Sequence, residues 1–371
     1  MNATAHNRPI RVLHMIGSLG FGGSQMVILN LYKAIDRNRI QFDFVLDEPT
    51  HREQASLVES MGSRIFTMPK FNGYNFREVL LAWDRFFYEH PEYRILHSHN
   101  RSYAALIFLM AKKHKVYTII HSHSTSNGKG ISSIAKQLLQ YPLRYQADYF
   151  LSCSKKSGEW LFGKRITNKS NYHVLQNAID LSQYVFNEER RIITRRKLGI
   201  GSEIVYIHIG RFHPSKNHPF LLETFSKIVR NDQNAVLLLV GEGGLKEEMI
   251  RRASELSIAD KVFFLGLRDD VPDLLNASDC FLFPSIWEGL PVAVIEAQAA
   301  GLPCIVSANV TDSVFISSLA QKVPIDRGTD TWINCIRNTD MKRKDVREEI
   351  RKAGFDIIDT ATWITNLYES L

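Results

Sequence analysis

The stretch Pro284–Pro303, PSIWEGLPVAVIEAQAAGLP, decides the reading of this chain. Glu288 and Glu296 bracket seven residues within it. Ahead of it lies the apolar run Cys280–Phe283, which predicts a buried strand. Behind Glu288, Pro291 opens and Gly301 closes a segment with the punctuation of a short helix. Glu288 is thus expected in a strand-to-helix loop, and Glu296 inside the helix. The N–H groups of Gly289 and Leu290 would point out of the helix start, where an anion is stabilised. Acids at a helix N-terminus also complement its dipole with no ligand present. But Glu288 and Glu296 cannot both be first-turn residues, and Glu296 sits between apolar neighbours. Acids flanking an anion-binding helix start suit a ligand with phosphates at one end and hydroxyls at the other, such as a nucleotide-sugar.

Short apolar runs alternate with longer helical patterns on both sides of this stretch. Ile10–Ile16, Phe42–Leu46, Ile95–His97, Tyr117–Ile120 and Tyr149–Ser152 predict strands in the first half. Val205–Ile209, Val236–Val240, Val262–Leu265, Cys280–Phe283 and Cys304–Ser307 predict them in the second. Strands that alternate with helices imply parallel sheets covered on both faces. Two sets of five therefore predict two doubly wound α/β domains, as a length of 371 residues also does. The pattern breaks at QNAID, after a further strand-like run at Tyr172–Leu175. The expected domains are residues 1–180 and 181–354, and the segment 355–371 is a C-terminal helix with more apolar surface than a free tail would bear.

Composition narrows the class. An apolar content of 44% and a charged content of 23% are those of an ordinary globular chain. The four cysteines are scattered, with no C-x-x-C pair, so zinc and thioredoxin-type chemistry are not expected and reduced thiols in the cytoplasm are. Met1–Pro9 is polar and leads into a strand, which is not a signal-peptide pattern. The longest apolar run, Tyr103–Ala111, is too short to span a bilayer. Residues 1–180 carry 23 Lys and Arg against 13 Asp and Glu, whereas residues 181–371 carry 23 against 26. The basic half points to an anionic partner. Nucleic acid is not expected, because basic and aromatic residues are not interleaved.

Six further elements lie at predicted strand ends. IGSLGFGGSQ follows the first strand and precedes a helix, without matching G-x-G-x-x-G or a Walker A loop; Asp47, after the second strand, does not complete a dinucleotide fingerprint. HSHN at residues 97–100 and HSHS at residues 121–124 end two strands of the same half, at the sheet edge where ligands bind. As metal pairs they lack a nearby carboxylate or cysteine, so no metal is expected. GRFHPSKN places Arg211 and Lys216 after a strand of the second half, where a guanidinium fork and a point charge can together neutralise a diphosphate. VGEGG and LGLRDDV put Gly241 and Arg268 at neighbouring strand ends.

GRFHPSKN, LVGEGG, FLGLRDDVPDLLNASDCFLFPS and EGLPVAVIEAQAAGLP, in that order over about residues 205–307, resemble retaining glycosyltransferase family 4 of the GT-B fold. GGSQ, the HSH pairs and NAID extend the likeness over most of the chain, in particular to bacterial exopolysaccharide and capsule enzymes. The resemblance implies two Rossmann-like domains facing a cleft, the first for the acceptor and the second for the donor. It implies that Arg211 and Lys216 hold the diphosphate, and that Glu296 binds ribose and the backbone near Arg268 the base. Glu288, with Gly289 and Leu290, would meet the transferred sugar and the β-phosphate, while Gly22 and Gly23 would approach the phosphate. His121 or its neighbour His123 would touch the sugar; His99, Asn177 and Gly241 stand behind these as further candidates. No cofactor is implied, since no D-x-D metal motif occurs and Asp269-Asp270 is adjacent. The expected activity is retaining, metal-independent transfer from a UDP-sugar to a lipid-linked oligosaccharide or glycan, by a cytoplasmic protein peripheral on the inner face of the membrane. The rival readings are an epimerase on the same fold and a non-catalytic nucleotide-sugar binder.

Overall fold

The computed structural model describes residues 8–20, 23–124 and 131–371. Its strands are β1 (Ile10–Ile16), β2 (Ile40–Leu46), β3 (Ile65–Thr67), β4 (Ile95–Ser98), β5 (Tyr117–Ser122), β6 (Tyr149–Ser152) and β7 (Tyr172–Val174), then β8 (Ile204–Ile209), β9 (Ala235–Val240), β10 (Val262–Gly266), β11 (Cys280–Phe283), β12 (Cys304–Ser307) and β13 (Ala320–Val323). The chain divides into two units. One holds residues up to Ala178 together with Ile357–Leu371, and the other holds Ile179–Asp356.

Each unit is built on one parallel sheet. The orders are β3-β2-β1-β4-β5-β6-β7 and β10-β9-β8-β11-β12-β13, the same doubly wound plan used twice. Val12 pairs with Phe42 on one side and Ile95 on the other, and Ile207 pairs with Leu238 and Phe281. The strand order reverses at β1/β4 and at β8/β11, and the crevice beyond the carboxyl ends of those strands is where such sheets bind ligands.

The expectation of five strands per sheet falls short. β7 (YHV) answers to the further strand-like run at Tyr172–Leu175, whereas β3 (IFT) and β13 (AQKV) go unmarked; all three are short and form sheet edges. One face of an edge strand need not be apolar, so a three- or four-residue run there leaves little periodicity to read.

Both faces of each sheet are buried under helices, as parallel sheets require. In the first unit the helix Ile357–Glu369 puts Ile357, Ala361, Ile364 and Tyr368 into one apolar cluster with Val12, Phe42 and Leu46. The second unit packs Val205, Ile207, Phe281 and Phe283 against Val294, Ile295 and Ala297 of the helix Val292–Ala299. That helix begins one residue later than expected. Pro291 has ψ 98° and is the cap, so its ring fixes the entry to the helix without forming its first turn. The far end follows the sequence: Gly301 has φ +76°, its N–H donates to Gln298 O at 2.8 Å, and Leu302 N donates to Ala297 O at 3.0 Å, a Schellman stop.

Candidate active site

In the second unit the loops after β8 and β11 converge. Pro214–Lys216 forms a tight helical turn capped by His213, and Asn217 takes a left-handed conformation with φ +56°. Ile286 N donates to Ser215 O at 2.7 Å and joins the two loops. The result is an ion pair between Lys216 Nζ and Glu288 Oε1 at 2.8 Å, both side chains 16% exposed. Lys216 also lies 4.7 Å above the Phe283 ring. A half-buried pair of this kind holds the ammonium at one point, where Coulomb interactions are less screened than at the surface. Arg211 is exposed and makes no ion pair among the described residues. The N–H groups of Gly289 and Leu290 donate to no acceptor among the described residues, and a Cβ on Gly289 would meet nothing within 4 Å. A cation and two undonated amides thus lie at this helix start, and Arg211 follows β8 in the same loop as Lys216.

Glu296, on that helix, accepts from Tyr184 Oη at 3.0 Å. Burial raises its pKa above the ordinary carboxylate value, and the tyrosine bond works against that shift. Tyr184 is itself buried, and its pKa is raised by burial and by the Glu296 charge. Nothing in the sequence marks this tyrosine, because it comes from the linker before β8. Trp287, exposed beside Glu288, was likewise not singled out.

Gly241 and Arg268 are occupied otherwise. Gly241 has φ +140°, and a Cβ there would lie 2.3 Å from Gly210 O; it allows two loops to pack backbone to backbone. Gly210 N to Val240 O (2.9 Å), Phe212 N to Glu242 O (3.0 Å) and Gly241 N to Gly266 O (2.8 Å) knit the ends of β8, β9 and β10 together. The Arg268 guanidinium forks onto Asp270 through Nε and Nη2 at 2.8 and 2.6 Å, which leaves its Nη1 and its backbone for a ligand.

In the first unit the two HSH pairs meet. His99 N donates to Met15 O at 2.9 Å, which brings the chain after β4 across the end of β1. His14 Nδ1 lies 3.0 Å from His99 Nε2, and His99 Nδ1 lies 2.8 Å from His123 Nε2. The His121 and His123 rings are 4.0 Å apart between centroids. His97 Nδ1 is 2.6 Å from Tyr368 Oη. Desolvation lowers the pKa of all five, to about 3 for His14 and His123, so the imidazoles are neutral at pH 7. His121 is buried, with both ring nitrogens unpartnered; His123 is partly exposed. His14 escaped the sequence reading because it sits within a strand. Asp47, set aside in that reading, accepts from Tyr103 Oη and Asn100 Nδ2 at this same sheet edge. Asn177 has a buried, unpartnered Oδ1. Gly23 opens the helix Gly23–Ala34 with open space where a Cβ would be. Gly22 lies outside the described residues.

Comparison with known proteins decides the family. Residues 21–183 match the model of Glycosyltransferase Family 4 and residues 190–329 that of Glycosyl transferases group 1. The chain belongs to the family 4 glycosyltransferases. It is 29% identical to EpsF of Bacillus subtilis (strain 168), by name a glycosyltransferase, over 96% of each chain. Over 53% of each chain it is 31% identical to the UDP-Gal:alpha-D-GlcNAc-diphosphoundecaprenol alpha-1,3-galactosyltransferase of Escherichia coli. Its fold is that of Anabaena HepE, solved with UDP, with TM-score 0.79 at 17% identity over 97% of this chain and 100% of that one. A glycosyltransferase of Rickettsia africae ESF-5 gives 0.78 at 16% over 98% of each. The GT-B fold of this family 4 glycosyltransferase is thus established. Among its described residues no helix is long and apolar enough to cross a membrane.

Proposed function

We propose that this family 4 glycosyltransferase moves a sugar from a UDP-linked donor to a lipid-linked glycan acceptor in exopolysaccharide or capsule synthesis, with retention and without a metal. The observation that carries the reading is the Lys216–Glu288 ion pair next to the undonated amides of Gly289 and Leu290, with Arg211 in the same loop as Lys216. As the sugar–phosphate bond breaks, negative charge develops on the leaving diphosphate. A fixed ammonium, a guanidinium and helix-start amides stabilise that charge without reorganising, which is electrostatic preorganisation. Glu296 accepts from the ribose hydroxyls, and Glu288 holds Lys216 and meets the sugar. His121, neutral, contacts the sugar as a hydrogen-bonding imidazole. In a front-face substitution the acceptor oxygen bonds to the anomeric carbon on the side the nucleotide leaves. The hydroxyl proton passes to the departing phosphate oxygen.

Relatives support the donor and acceptor classes. The E. coli protein is named for UDP-Gal and a diphosphoundecaprenol acceptor, and HepE has been solved with UDP-glucose. A surface contact with membrane is part of the proposal. Ile134, Leu138, Tyr141 and Tyr145 are exposed around Lys136 and Arg144, an apolar and basic combination that suits an anionic bilayer. Equal co-sedimentation with neutral and anionic vesicles would remove that part.

Incubation with UDP-, GDP- and ADP-sugars plus lipid-linked acceptors, followed by NMR of the product, tests the reading. A new glycoside with the donor's anomeric configuration is expected from one UDP-sugar. An inverted product refutes retention, an altered sugar still on its nucleotide indicates the epimerase, and binding with no turnover indicates the non-catalytic binder.

A further inference from the structure

The convergence of the two HSH pairs changes what they can do. Considered one at a time, neither has the acid or cysteine partner that a metal site built on a single pair would need. Brought together, they need neither, because three imidazoles alone make a complete protein ligand set for zinc, leaving the fourth position open. One nitrogen each of His99, His121 and His123 lies within 4.8 Å of the others.

We propose that His99, His121 and His123 form a binding site for a late divalent transition metal of the zinc class. Three observations favour this triad over the neighbouring set His14, His97 and His99, which also satisfies the distance criterion. His97 is tied to Tyr368, whereas both nitrogens of His121 are buried and unpartnered. His99 and His123 are partly exposed and give an ion a way in, while His14 and His97 are sealed. With His99 binding through Nδ1, its Nε2–H is left facing His14 Nδ1 at 3.0 Å. Such an outer hydrogen bond, here to an imidazole rather than the usual carboxylate, carbonyl or water, fixes the tautomer of a ligating histidine.

The ligand chemistry is consistent. Imidazole nitrogens suit zinc, copper and nickel rather than magnesium or calcium. At a Zn–N distance of 2.0–2.1 Å, tetrahedral ligand nitrogens stand about 3.3 Å apart. The 2.8 Å between His99 Nδ1 and His123 Nε2 must therefore open slightly as their mutual hydrogen bond is exchanged for two bonds to the ion. Arg101, whose charge disfavours positive charge at His123 and whose Nη1 is buried without a partner, works against a bare cation, so an anion such as hydroxide or phosphate is required as the fourth ligand. The transfer chemistry proposed above uses no metal but shares His121 with this site, so an ion bound there and the sugar contact of His121 exclude one another.

The test uses the full-length chain without an affinity tag, stripped with chelator and titrated with Co²⁺ and then Zn²⁺. Expected are uptake of one ion per chain and the visible d–d bands of four-coordinate cobalt, bleached by zinc. His123→Ala and His99→Gln should each weaken uptake about tenfold or more with the circular dichroism spectrum unchanged. Absence of stoichiometric uptake by the wild-type chain, or equal uptake by both folded variants, overturns the proposal. Should the variants not fold, X-ray absorption on the zinc-loaded wild-type chain decides: three imidazole ligands support the site, and fewer overturn it.

Discussion

At the residue scale, Lys216 and Glu296 put their charges to different uses. Lys216 is held by Glu288 before any ligand arrives, so its worth lies in the transition state, where leaving-group charge develops. Lys216→Ala should lower kcat about a hundredfold or more while the UDP dissociation constant changes little, and parallel losses in both would contradict the role. Glu296 is different, because its pKa is raised by burial. In the proposed ribose contact the ionised carboxylate is the stronger acceptor, and it is lost as pH falls through that raised pKa. UDP affinity measured by calorimetry across mildly acidic pH should therefore weaken on acidification and stay level above neutrality. Tyr184→Phe removes the bond that favours ionisation and should move that loss to higher pH. An affinity independent of pH would mean that Glu296 does not meet the ribose. Both glutamates were legible in the sequence from their spacing around a helix start. Tyr184 was not, because a linker tyrosine has no periodicity and its partner is 112 positions away.

At the element scale, what mattered was which strand ends the topology brings together. Ten runs of apolar residues marked strands to within two residues, and β1, β6, β11 and β12 lie at the very bounds read from sequence. Short β3 and polar β13 left no such trace. The sequence showed that the HSH pairs sit at strand ends, yet their meeting with His14 depends on β1 lying next to β4, a long-range pairing that no local pattern encodes. Glycines showed the same limit. Gly241 reads as a ligand-facing turn residue, and the sequence does not show that it is also the contact that lets the β9 loop close on Gly210. Gly241→Ala forces an L residue to φ +140° and a Cβ onto a carbonyl. It should cost about 2–4 kcal/mol in urea unfolding of the second unit. A cost below about 0.5 kcal/mol, the range of neutral surface changes, would show that the loops are not locked in this way.

At the scale of the whole molecule, the same sheet plan is used twice, and the chain returns to the first unit at its end. Helix Ile357–Glu369 buries Ile364 and Tyr368 in the cluster that contains β1 and β2, so its energetic home is the first unit although it follows the second in sequence. Deletion of residues 357–371 should lower the melting transition of the first unit and leave that of the second nearly unchanged, as scanning calorimetry with UDP present to mark the second would show. A fall confined to the second transition would contradict this. The doubly wound class was legible from strand–helix alternation, because parallel strands buried on both faces must be apolar throughout.

The central claim is that the pair Lys216–Glu288, with Arg211 and a helix start, performs transfer without a metal. Its most direct test is acceptor-dependent release of nucleotide from the donor in excess EDTA, comparing the wild-type chain with Glu288→Ala. The account predicts release that is undiminished by the chelator, stimulated by lipid-linked acceptor and reduced at least a hundredfold (roughly 3 kcal/mol of barrier) in the variant. Release abolished by EDTA and restored by a divalent cation, or an equally active Glu288→Ala, would contradict it.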